Sequence, residues 1–117
     1  MGGCSSPMSV TYANHAALLT GADPMVTGLW GNYASAPEGG FIPTPLAGPR
    51  AVTLFDRCTA SDRRSLSIIG DQYLTSTNGA HAASVAWPET AELPEGTETD
   101  THRFATDVAV LEQIGRA

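Results

Sequence analysis

The sequence predicts an α+β protein: a small mixed β domain with a C-terminal helix, preceded by a long, extended, Gly/Pro-rich N-terminal arm. Three observations predict it. Two runs, AVTLF (51–55) and SLSIIG (65–70), have the β-branched content of strands. Phe104, Val108, Leu111 and Ile114 fall on one helical stripe near the C-terminus. The first fifty residues hold eight of the 12 glycines and six of the 8 prolines, with only Asp23, Glu38 and Arg50 charged.

The last observation divides the chain into an arm, 1–50, and a domain, 51–117. Glycine raises the entropy cost of ordering and proline removes ladder donors, so the arm is expected to run as turns and extended pieces. One short helix interrupts it, with Asn14 as N-cap, residues 15–20 as the turns and Gly21 as the stop. A disordered tail is usually highly charged; this arm is not. It carries Tyr12, Leu18, Leu19, Leu29, Trp30, Tyr33, Phe41 and Ile42, which gain free energy only when buried. A partner surface would bury them.

In the domain, the two strands are expected to pair as a hairpin across the polar loop DRCTASDRR. A third strand is expected at 72–75, before the turn signal Asn78-Gly79. At Trp87-Pro88 the chain must change direction, because proline cannot continue a central strand. Glu89, Glu92, Glu95, Glu98 and Asp100 follow at helical spacing, but Pro94 and Gly96 interrupt it and leave an exposed acidic loop. The final helix is expected at about 98–114, capped by Thr97 or Thr99 and stopped by Gly115. A strand through Phe104, Thr106, Val108 and Val110 is the competing reading.

Charge narrows the function. The formal net charge is -6, and the basic residues are six arginines with no lysine, which disfavours both nucleic acid and an anionic membrane surface. No stretch approaches the ~20 consecutive apolar residues of a membrane span. Cys4 and Cys58 lie in unlike surroundings, so no disulfide framework is expected, and without a secretory signal the expected site of synthesis is reducing and intracellular. MGGCSS does fit the short N-myristoylation pattern, with Cys4 placed for a second acyl chain, while Met8 reads equally well as a start.

Catalytic signals are thin. His15, His81 and His102 are isolated, with no H-x-x-x-H or C-x-x-C spacing to gather metal ligands, so neither metal nor cofactor is expected. His81 reads as partly buried, and His102 as lying on the exposed face of the last helix. Neither G-x-S-x-G nor a phosphate loop is present, and the glycines at 28, 31, 39 and 40 read as turns. Carboxylate pairs, Asp56 with Asp62 or Asp71 with Glu89, stay open as acid and base. A domain of 67 residues barely sustains one core, so a pocket would weaken it, whereas subunit contacts would add buried area.

The run YLTSTNGAHAASVAWPETAELPEGTETDTHRFATDVAVLEQIG (73–115) resembles the end of the head-decoration, or capsid cement, proteins of lambda-like tailed phages. The resemblance is carried by Tyr73, Leu74, Thr75, Gly79, Trp87, Pro88, Glu89, Thr99, Asp100, Ala105, Leu111, Glu112, Ile114 and Gly115, in that order and spacing. It covers about the last 45 residues; the middle, VTLFDRCTASDRRSLSIIG, is shorter than the family's usual pair of strands.

The resemblance implies a non-enzymatic virion protein made in the host cytoplasm. It implies a trimer bound to the outside of an expanded icosahedral shell, clamping the major capsid protein against the pressure of packaged DNA. Tyr12, Leu18, Leu19, Trp30, Tyr33, Phe41 and Ile42 would then be the capsid-binding arm. Trp87, Pro88, Phe104, Val108 and Leu111 would lie in the core or at the subunit interface. Two other classes remain open: a further virion component, such as a head-tail connector or minor tail protein, and a small enzyme or acylated adaptor.

Overall fold

The computed structural model describes residues 10–44 and 47–117. The MGGCSS motif, Cys4 and Met8 lie outside them. The chain forms a mixed helix and strand domain that ends in a helix, consistent with the α+β class.

Helix α1, Thr11–Thr20, starts earlier than expected, because its alanines and leucines favour helix and Val10 already occupies the N-cap position. Asn14 is therefore inside the helix rather than its cap, and its Nδ2 donates to Val10 O at 2.9 Å. Gly21 closes the helix in the left-handed region, φ 68°, with its N–H on Ala17 O. Helix α2, Pro24–Thr27, is a single turn with Pro24 at its start and Asp23 accepting the Met25 N–H at 2.9 Å. Strands β1, Tyr33–Ser35, and β2, Phe41–Pro43, pair antiparallel with Tyr33 opposite Pro43 and Ala34 opposite Ile42. Residues 10–44 thus hold short helices and a hairpin, which pack on one another through Ala16, Leu29 and Ala34.

The expected strand at 51–55 is absent, and the reason is local. Thr53 and Asp56 form a reciprocal capping box: Thr53 N donates to Asp56 Oδ2 at 2.8 Å, and Asp56 N to Thr53 Oγ1 at 3.3 Å. That box starts α3, Leu54–Ala60, and converts the β-branched run into a helix entry. Strand β3, Leu66–Ile68, forms as expected but has lost its hairpin partner. It pairs instead, in parallel, with β4, Val85–Trp87, setting Leu66 beside Val85, Ser67 beside Ala86 and Ile68 beside Trp87.

The strand expected at 72–75 is also corrected. Asp71 Oδ1 accepts the Tyr73 N–H at 3.0 Å, turning the chain into α4, Leu74–Thr77. Asn78-Gly79 does make a turn, with Gly79 at φ 67°, but it leads from α4 into a 3-10 turn, Ala80–Ala82, rather than into a hairpin. The crossover from β3 to β4 is therefore helical, the usual link between parallel strands. Strand β4 ends at the cis Trp87–Pro88 bond, and Pro88 is fully buried.

Helix α5, Asp107–Arg116, is shorter at its start than the expected 98–114. Asp100 accepts the N–H groups of His102 and Phe104 at 2.8 and 3.0 Å, and Arg103 takes φ 65°, so residues 100–104 form a tight turn. Thr99 and Ala105 bridge across it. The cap is Thr106, which accepts the Ala109 N–H, rather than Thr97 or Thr99; Gly115 lies within the helix rather than beyond it. The acidic side chains at 89, 92, 95, 98 and 100 are exposed, as the loop reading expected.

The core is made of small residues. Among the described residues the buried apolar set is Ala13, Ala16, Ala34, Ala36, Ala47, Ala80, Ala105 and Ala109, with Leu29 and Leu74 the only large members. Threonines make up most of the rest: Thr27, Thr44, Thr53, Thr75 and Thr77 are buried, beside Ser67, Gln72 and Asn78. Thr44 Oγ1 donates to Gly31 O and Thr77 Oγ1 to Tyr73 O, which satisfies hydroxyls that would otherwise oppose burial. Ala16, Leu29, Ala34 and Ala47 cluster, with Ile42 packed against them, and α1 lies against both α2 and α4.

Candidate functional site

Strand alternation divides the β1–β2 hairpin into two faces. Ala34 and Ile42 form the inner face and pack on the core cluster. Tyr33, Phe41 and Pro43 form the outer one, with Tyr33 63% and Phe41 76% exposed. Trp30, just before the hairpin, is exposed as well, as are Leu18 on α1 and Met25 and Val26 on α2.

Of the residues expected to reach a partner, Leu18, Trp30, Tyr33 and Phe41 are therefore available. Tyr12 and Leu19 are half-buried. Ile42 is a correction: its register places it opposite Ala34 and against the core, so it holds the hairpin down rather than meeting a partner. Met25, Val26 and Pro43 add to the surface and were missed; the short alternation around 33–43 was the signal for Pro43.

A second apolar surface lies on the domain. Val108 is 58% and Leu111 63% exposed, and Ile114 is exposed too. The core alternative for Val108 and Leu111 is thereby corrected: Ala109 is the buried residue of α5, and the stripe of larger side chains faces outward. Phe104 precedes the helix and is half-buried, with its ring edge-on to Tyr73 at 6.3 Å. Leu66 and Val85, paired side by side, are both exposed. Parallel sheets are normally covered on both faces, so this two-stranded piece is unusually bare. Trp87 is half-buried and lines a cleft of about 370 Å³ with Glu95, Glu98, Glu112 and Arg116.

Asp56 is engaged by Thr53, whose backbone and side-chain hydrogen bonds hold its carboxyl below the ordinary range. His81 is exposed, not partly buried, and His102 sits in the turn before α5 rather than on the helix. His15 is half-buried on α1. Among the described residues no three of His, Cys, Asp and Glu are grouped to hold a metal ion, and no helix is long and apolar enough to cross a membrane. Asp71 is half-buried, and burial raises its carboxyl pKa; burial, with the Asp71 charge behind it, also raises the Tyr12 phenol.

Comparison of the chain with protein families, curated proteins and solved structures finds no match in any of the three.

Proposed function

We propose that this chain is a structural virion protein that binds the outside of an expanded icosahedral phage capsid. It acts as a trimer and stabilises the shell against internal DNA pressure. One observation carries the reading: alanine and threonine make up most of the core, while large side chains such as Trp30, Tyr33, Phe41, Val108 and Leu111 stand exposed. Full burial of a large apolar side chain is worth roughly 1.5–3 kcal/mol, and this chain withholds that gain from its own fold at Trp30, Tyr33, Phe41, Val108 and Leu111. A protein so built gains its remaining stability on assembly.

The two surfaces divide the work. Leu18, Trp30, Tyr33 and Phe41, in the segment 1–50 that serves as the capsid-binding arm, meet the major capsid protein. Val108 and Leu111 on α5, with Leu66 and Val85, meet other copies of the chain. The resemblance of residues 73–115 to head-decoration proteins supports the same assignment. Binding only the expanded lattice biases the shell against reversal by mass action, and three arms per trimer multiply the effect.

The test is co-sedimentation of the purified chain with empty shells of the phage that encodes it, before and after expansion. Saturable binding to the expanded form alone, near one copy per capsid subunit, is expected. Binding to neither form overturns the reading and redirects the search to portal and tail partners.

A further inference from the structure

A cleft of about 410 Å³ opens where the start of α1 meets the turns flanking α4 and α5, lined by Val10, Thr11, Tyr12, Asn32, Asp71 and Phe104. Asp71 is the one formally charged side chain among these lining residues, and it is half-buried. Its Oδ1 accepts the Tyr73 N–H; among the described residues no ion pair and no side-chain hydrogen bond reaches the carboxylate. Of the titratable groups, His15 and Tyr12 on α1 interact electrostatically with Asp71. Half withdrawn from water, the carboxylate is offset only by the Tyr73 N–H and by the attraction of His15.

Aromatic side chains line the cleft beside it. Phe104 stacks on His102, with centroids 6.1 Å apart and planes at 19°, and meets Tyr73 edge-on at 81°. Two ring contacts hold Phe104 in place before any ligand arrives, and Tyr12 lines the same space. Carboxylate and π face together are the two groups that recognise an organic cation, the first by charge and the second by its quadrupole. Asn32 and Thr11 add polar atoms beside them. The formal charge of -6 draws cations toward the molecule.

We propose that this cleft binds an organic cation, an alkylammonium or guanidinium group, seated between the Asp71 carboxylate and the rings of Tyr12 and Phe104. The inference is independent of the capsid reading. The cation comes either from a lysine or arginine side chain of a bound protein or from a free polyamine.

The first turn of α1 has no side-chain cap, so its amide N–H groups compete by favouring an anion at the same place. The experiment separates these. Backbone amide shifts of the full chain are followed by NMR during titration with N-acetyl-arginine methylamide, N-acetyl-lysine methylamide, spermidine, the neutral N-acetyl-norleucine methylamide, and sodium acetate. Saturable shifts at Tyr12, Asp71 and Phe104 with the cations, but not with the neutral analogue or acetate, are expected. Preference for the blocked amino acids assigns a protein side chain, and preference for spermidine a free polyamine. Asp71→Asn keeps the oxygen that receives the Tyr73 N–H and is expected to weaken cation binding at least about tenfold, with the rest of the spectrum unchanged. Phe104→Leu is expected to weaken binding while keeping the charge. Equal shifts with the neutral analogue, saturation with acetate instead, or undiminished binding by Asp71→Asn would each overturn the proposal.

Discussion

Gly79 lies so close under Thr53 that a β-carbon added to the glycine would stand 2.7 Å from Thr53 Cγ2. The contact joins the end of α4 to the cap of α3, and it does so at a residue whose φ of 67° already disfavours a side chain. Gly79→Ala is therefore expected to destabilise the fold by roughly 1–3 kcal/mol, through backbone strain and displacement of the cap. Thr53→Ala, which removes the hydroxyl half of the capping box, is expected to cost about 1 kcal/mol. Urea denaturation of both variants checks the order; equal stability of Gly79→Ala and wild type would contradict the close approach.

The same cap responds to acid. Thr53 donates from both its backbone N and its Oγ1 to Asp56 Oδ2, at 2.8 and 2.9 Å, and these bonds lower the Asp56 pKa. A carboxyl whose folded pKa is depressed contributes stability above its unfolded value and loses it as pH falls through the folded one. The cap is thus intact at neutral pH and weakens below the ordinary carboxylate range. Asp56→Asn is expected to lower the melting temperature near neutrality and to converge on wild type in acid. A constant difference at all pH values would contradict the assignment.

Leu111 distinguishes core from interface. At 63% exposure, Leu111→Ala is expected to change the stability of the isolated chain by no more than about 0.5 kcal/mol. If α5 joins copies of the chain, the same variant shifts the mass measured by analytical ultracentrifugation toward monomer. A large fall in monomer stability would return Leu111 to the core.

The hairpin gives the converse pair. Tyr33→Ala with Phe41→Ala removes the outer face and is expected to leave the fold near wild type while abolishing shell binding in co-sedimentation. Ile42→Ala, on the inner face, is expected to cost about 2 kcal/mol and to affect binding only through stability. Shell binding undiminished by the outer-face pair would remove the hairpin from the proposed interface.

How far the sequence could be read depended on the range of the forces involved. The turn at Asn78-Gly79, strand 66–68 and the stop at Gly21 were legible because each is decided by a few adjacent residues. Residues 51–55 were not, because β-branched content and a Thr-x-x-Asp cap compete there and the cap prevails. The α5 stripe was legible as a stripe but not in its direction: periodicity finds the apolar face of a helix without saying whether this chain or another covers it. The parallel partner of β3 was beyond reading, since Val85 to Trp87 are set beside it by a crossover and not by a turn signal.

That crossover governs the order in which the chain can assemble. Leu66 cannot meet Val85 until the segment between them has gathered, and closing a loop of that length costs roughly 2–3 kcal/mol. The short turns within it, α4 and the 3-10 turn, are local structure that shortens the search. The bare two-stranded sheet is then a late product of folding. During synthesis it waits for residues 85–87 to leave the ribosome, long after β3 has been made, and α5 is still to follow.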